Sequence, residues 1–169
     1  MENVQNNFFC IFIYFFFATN YIFASEPYTP LKGSPERKAI LGALREELKR
    51  FPNKEPSGIG FEYKREDVGV AKWFIEEGKE VIFIVNHLKV VDNWAWIETE
   101  PRSPDGMNNY KPIEALFHKE KGKWVKKHVK PCCAEWEDYL EENNIKSMEG
   151  YYRHLMQMFP GVTRDLFPK

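Results

Sequence analysis

Val81 to Glu100 reads VIFIVNHLKVVDNWAWIETE, and this stretch decides the fold. Its opening, Val81-Ile82-Phe83-Ile84-Val85, is β-branched or aromatic on both faces of an extended chain, and polar residues enter from Asn86 to Val90. After the turn pair Asp92-Asn93, Trp94, Trp96 and Glu98 alternate with Ala95, Ile97 and Thr99 as far as Pro101. Two strand-like runs about a polar turn predict an antiparallel hairpin.

Downstream, residues 101 to 112 (PRSPDGMNNYKP) form a turn-rich loop. Ile113 to His118 and Trp124 to Lys130 then flank Glu120-Lys121-Gly122-Lys123 as a second hairpin. The tail returns to helical spacing, with Trp136, Tyr139 and Leu140 on one short helix. Tyr151, Tyr152, Leu155, Met156 and Phe159 suit another that stops at Pro160-Gly161. Upstream, Ser34-Pro35-Glu36 supplies an N-cap hydroxyl, a proline at the first helical position and a first-turn carboxylate. Ile40, Ala43, Leu44 and Leu48 follow at helical spacing, which predicts a helix over 35–50 that ends before Pro52. Residues 52 to 60 are expected as a loop, and Glu66 to Glu77 as a helix on Val68, Ala71, Phe74 and Ile75, with a hairpin at Trp73-Phe74-Ile75 and Glu77-Gly78 as the alternative. The expectation is an α+β domain: an N-terminal helix packed on an antiparallel sheet of about four strands, with one or two C-terminal helices, the helices covering one sheet face. No internal repeat is visible.

The chain of 169 residues has room for one domain, here residues 35–169, preceded by an extended leader at 25–34. Phe8 to Phe17 (FFCIFIYFFF) is an uncharged apolar run, shorter than the roughly 20 residues that span a bilayer. It matches the apolar region of a signal peptide, and Ala24 before Ser25-Glu26-Pro27 is the expected cleavage position, so 1–24 is read as a signal peptide, with an uncleaved anchor over 8–24 or a buried core helix as the alternatives. The expected location is periplasmic or secreted, with no stable membrane span after cleavage. Cleavage there leaves 24 basic and 24 acidic side chains, and a neutral domain argues against nucleic acid as a partner.

Arg37 to Arg45 (RKAILGALR), Phe83 to Val90 (FIVNHLKV) running into Asn93-Trp94-Ala95-Trp96, Ala115-Leu116-Phe117 with Gly122-Lys123-Trp124-Val125, and Phe159-Pro160-Gly161-Val162 with Leu166-Phe167-Pro168 form a recurring order. In that order the chain resembles a group of small bacterial exported proteins without an established activity. The resemblance implies one helix on a curved antiparallel sheet, similar to cystatin-like or nuclear-transport-factor-like folds. It implies export and no particular chemistry.

Three sets of residues carry whatever chemistry is present. Trp94 and Trp96 share a strand face, and Trp124 begins a strand that could lie in the same sheet; core packing between sheet and helix is the favoured reading, with an apolar pocket or a carbohydrate- or peptide-binding surface as the alternative. His87, His118 and His128 fall on strands, where His118 and His128 are expected within a few residues of each other across the second hairpin. Their spacing is no metal signature, so no metal and no cofactor are expected. Cys132 and Cys133 are adjacent, and Cα atoms about 3.8 Å apart make any bond between them strained and easily reduced. They are read as inert structural cysteines, with a redox switch or intermolecular pairing as alternatives. Glutamate pairs such as Glu98/Glu100 are read as solvated.

No catalytic signature frames any of these residues, which favours a non-enzymatic binding or accessory protein of the cell envelope. Its expected partner is a protein, a peptide or a small ligand held on a concave sheet face. The alternative is a small enzyme with His87, His118 or His128 as base in a pocket between the first helix and the sheet.

Overall fold

The computed structural model describes residues 25–50, 80–131 and 134–169. The signal-peptide segment, the loop and helix expected within 51–79, and Cys132-Cys133 lie outside the described residues. In chain order the elements are α1 (Pro35–Arg50), β1 (Ile82–Val91), β2 (Trp94–Arg102), β3 (Ile113–Glu120), β4 (Lys123–Val129), α2 (Ala134–Glu142), α3 (Met148–Met158) and a 3-10 turn at Arg164–Leu166. The four strands form one antiparallel meander in the order β1-β2-β3-β4. The fold is therefore α+β, with one helix before the sheet and two after it. No helix among the described residues is long and apolar enough to cross a membrane.

Local chemistry explains the start of the first and third helices. The Ser34 hydroxyl accepts from the Arg37 backbone N–H at 3.2 Å, and the Ser147 hydroxyl accepts from Gly150 N–H at 3.1 Å, so α1 and α3 each begin on a side-chain cap. Gly122, with φ +80, closes the β3–β4 turn beside Lys121, itself at φ +49.

Two bulges decide which side chains meet. In β1 the register shifts between Val85 and His87, so Asn86 is an extra residue. Phe83 and Val85 before it and Leu88 and Val90 after it then share one face, although their parity differs. In β4 the shift between Lys126 and His128 leaves Lys127 as the extra residue. Trp124 and Lys126 therefore point to one face and His128 to the other.

The helices cover both faces of the sheet, not one as the sequence suggested. On the first face Ile40, Leu44 and Leu48, one side of α1, pack on Phe83, Leu88, Val90, Ala95, Ile97, Ala115, Phe117 and Trp124. Burying each of those three aliphatic side chains contributes about 1.5–3 kcal/mol. Lys126 pairs with Glu47 and Lys119 with Glu36 (3.3 Å), tying the helix to β4 and β3 at its margins. On the second face α2, α3 and the tail bring Tyr139, Tyr151, Tyr152, Leu155, Leu166 and Phe167 onto Trp96 and Leu116. The apolar periodicity of α2 and α3 marks a buried side without saying which sheet face receives it.

Candidate functional site

The second face holds most of the polar aromatic groups of the described residues. Trp94, His118 and Val125 lie in register on β2, β3 and β4 and form one row across the end of the sheet. The Trp94 and His118 rings stand 4.3 Å apart at 37°, and Phe159, the C-cap of α3, sits 5.8 Å from Trp94. Trp94, His118 and Phe159 are half-buried, and Val125 is 38 % exposed. The row therefore presents an aromatic patch to solvent. Gly161, at φ +98, lets the chain after α3 fold down on it: a Cβ there would stand 3.0 Å from Trp94 Nε1. His118 Nδ1 lies 3.4 Å from Glu120, which also pairs with Lys127. These partners hold the Glu120 carboxyl below its ordinary range, Lys127 contributing most. A charged rim thus borders the rings.

Beneath the patch the rings continue inward. Phe159 is 6.4 Å from His128, whose Nε2 makes a 2.7 Å hydrogen bond with the Tyr151 hydroxyl. His128 is only 5 % exposed. Burial, with smaller contributions from His154 and Lys126, lowers its pKa to about 4, so the ring is neutral at physiological pH. Trp136 lies edge-on to Tyr151 at 4.9 Å and stacks on Tyr139 at 6.0 Å. Tyr139 meets His154 edge-on at 5.8 Å. Burial pushes Tyr139 up to about 12 and lowers His154.

No protein family, curated protein or solved structure matches this chain.

The expected grouping of Trp94, Trp96 and Trp124 does not form. Trp124 pairs with Lys119, an odd-numbered β3 residue, and so packs on the α1 face, whereas Trp94 and Trp96 pair with His118 and Leu116 on the opposite face. Trp96 is fully buried, edge-on to Phe167 at 5.0 Å. Of the three indoles, Trp94 alone joins the surface patch. His118 and His128 lie one sheet row apart, within a few residues as expected, yet among the described residues no three metal-ligating side chains converge. His87 donates from Nε2 to the Leu166 carbonyl at 3.0 Å, pinning the 3-10 turn to β1. None of the three strand histidines lies between α1 and the sheet, because all face the C-terminal side. The middle of the sheet face that carries Trp94 and His118 is occupied by α2, α3 and the tail.

A second polar row escaped the sequence. His87, Glu98 and Glu114 are cross-strand neighbours, and Lys130, whose N–H donates to the Glu114 carbonyl, pairs with the Glu114 carboxylate. Glu98 accepts from Trp96 Nε1 at 3.0 Å. Burial raises the Glu114 carboxyl while Lys130 opposes that rise. Sequence pairing of Glu98 with Glu100 hid this row. Its neighbours are set by strand register, which only the folded sheet displays.

Proposed function

We propose that the chain is an exported, non-enzymatic binding or accessory protein of the cell envelope that holds a protein or peptide partner at the Trp94–His118–Phe159 patch. The partly exposed Trp94–His118 pair at 4.3 Å carries this reading. Rigid aromatic rings at the centre, an exposed Val125 beside them and the Glu120–Lys127 pair at the margin match the anchor-and-rim anatomy of protein interfaces. Export is supported by the apolar segment at 8–17 and by Ala24 before a polar stretch.

A photo-crosslinking residue at Val125, in the protein expressed in its native envelope, tests the reading. A discrete adduct that Trp94→Ala or His118→Ala removes, and that Met107→Ala at the remote 103–110 loop leaves intact, is the expected outcome. No adduct, or one indifferent to Trp94 and His118, would overturn it.

The enzymatic alternative has one observation on its side. His128 is a buried histidine, neutral at physiological pH, hydrogen-bonded to a second titratable group, Tyr151. Rings enclose it on three sides, Phe159, Tyr139 and Tyr151, so the pair is better placed to hold α3 on β4 than to meet a substrate.

A further inference from the structure

The extended segment ahead of α1 is tied to the sheet by side chains distant in sequence. Tyr28 forms an antiparallel bridge with Val90, through N–H to carbonyl bonds of 3.0 and 2.8 Å. Its hydroxyl donates to Glu36 at 2.7 Å, and Arg37 donates to the Pro30 carbonyl at 3.3 Å. At the start of this segment Ser25 and Asp92 form a reciprocal clasp. The Ser25 backbone nitrogen and hydroxyl both donate to Asp92 Oδ1, at 3.0 and 2.8 Å, and the Asp92 N–H donates to Ser25 Oγ at 2.8 Å. Asp92 sits at φ +51 in the β1–β2 turn, and its carboxylate meets the incoming chain there.

The nitrogen in that clasp belongs to the residue that follows Ala24. We propose that the Ala24–Ser25 peptide bond is hydrolysed on export and that Asp92 is the seat of the new N-terminus, its carboxylate ion-paired with the Ser25 α-ammonium group. This rests on the export reading above. In the cleavage the C–N bond breaks; water gives its hydroxyl to the Ala24 carbonyl carbon and a proton to the Ser25 nitrogen, which takes a second proton from solvent. The catalyst is a membrane-bound peptidase of the class that removes signal peptides.

The geometry suits the product better than the precursor. A peptide nitrogen carries one proton and no charge, and that proton is already directed at Oδ1. An α-ammonium group on the same atom brings three protons and a positive charge 3.0 Å from a carboxylate, a charge-assisted bond. The hydrogen bonds from Ser25 already hold the Asp92 carboxyl below its ordinary range, so the acceptor is anionic at neutral pH. Locking the new terminus there holds the Tyr28–Val90 bridge, which covers that part of the β1 edge with the protein's own chain.

The test expresses the full-length gene in a secreting bacterium, takes the intact mass of the exported protein, and follows hydrogen exchange at the Tyr28 and Val90 amides in wild type and Asp92→Asn. Asparagine keeps a neutral acceptor and removes only the charge. The expected result is a chain beginning at Ser25 and exchange roughly two- to fivefold faster in Asp92→Asn, the range of an exposed ion pair. The difference should vanish in 1 M salt, and in chains kept uncleaved by Ala24→Leu. A mass beginning at Met1 would remove both export and the seat. A chain beginning elsewhere than Ser25 would overturn the cleavage position. A chain beginning at Ser25 with equal exchange in wild type and Asp92→Asn, or an Asp92→Asn effect of the same size in uncleaved chains, would leave export standing and overturn the seat.

Discussion

The two faces of the sheet are built from different chemistry. Under α1 the contacts are Ile, Leu, Val, Phe and Ala with one indole; the Glu36 and Glu47 ion pairs sit at the helix margins and the Arg45 guanidinium lies over the Phe83 ring at 5.0 Å. Under α2, α3 and the tail the contacts include His128, Trp96 and three tyrosines, joined by hydrogen bonds and edge-on rings. A mainly aliphatic face depends chiefly on shape and gives up little hydrogen bonding when water leaves, Thr99 being a buried hydroxyl within it. The aromatic face has donors and acceptors to satisfy, so it is specified by geometry and responds to protons. The first face is expected to set overall stability, and the second to carry recognition and pH dependence.

The largest effect should come from breaking the first face. Phe117 is fully buried under α1, and Phe117→Ala leaves a cavity between helix and sheet. The expected loss is about 3–5 kcal/mol in urea unfolding, with no dependence on pH between 8 and 4 beyond that of wild type. A loss below about 1 kcal/mol would mean that the α1 face is not the structural core and would reverse the assignment.

Protons should separate the faces next. His128 titrates near 6.5 when unfolded and at about 4 in the folded chain. Above pH 6.5 it is neutral in both states and contributes its full packing. As pH falls from 6.5 toward 4 the unfolded chain binds a proton that the folded chain refuses, so stability falls, by about 3 kcal/mol in all, and the decline ends below pH 4. His154, lowered by burial on the same face, adds a smaller decline of the same sign. His128→Asn keeps a hydrogen-bonding partner for Tyr151 and removes the titration. Urea midpoints from pH 8 to 4 should therefore fall less steeply in His128→Asn than in wild type, whatever the variant costs at pH 8. Parallel curves would place the acid sensitivity elsewhere.

These two effects differ in how far the sequence announced them. The α1 face was legible because Ser34-Pro35-Glu36 starts the helix by local chemistry and Ile40, Leu44 and Leu48 repeat at helical spacing. Both hairpins were legible from Asp92-Asn93 and Lys121-Gly122. The aromatic face was not, because its membership depends on two bulges. Asn86 and Lys127 each shift parity by one residue, and no pattern within β1 or β4 shows that Trp124 and His128, four positions apart, part to opposite faces. Trp94 was read with the other indoles and His118 with the other histidines; register alone makes the two neighbours. Phe159 was visible only as the end of a helical stripe, and the C-terminal helices gave no sign of which face they would cover.

The smallest effect is the most local test of the patch. Gly161 follows α3 at φ +98, a conformation in which an L side chain is strained, and a Cβ there would meet the Trp94 indole nitrogen at 3.0 Å. Gly161→Ala is expected to cost about 1–2 kcal/mol, through backbone strain and a small displacement of Trp94. The displacement matters more than the cost, because Trp94 is the ring that pairs with His118 at the surface. Trp94→Phe identifies the indole's contribution to the emission spectrum by difference, and Gly161→Ala should alter that component while leaving the unfolding of the α1 face unchanged. It should also weaken the Val125 crosslink without abolishing it. An alanine that destabilises but leaves the Trp94 component and the crosslink as they were would show that Gly161 serves only the chain reversal after α3, and that the patch is held by the sheet row alone.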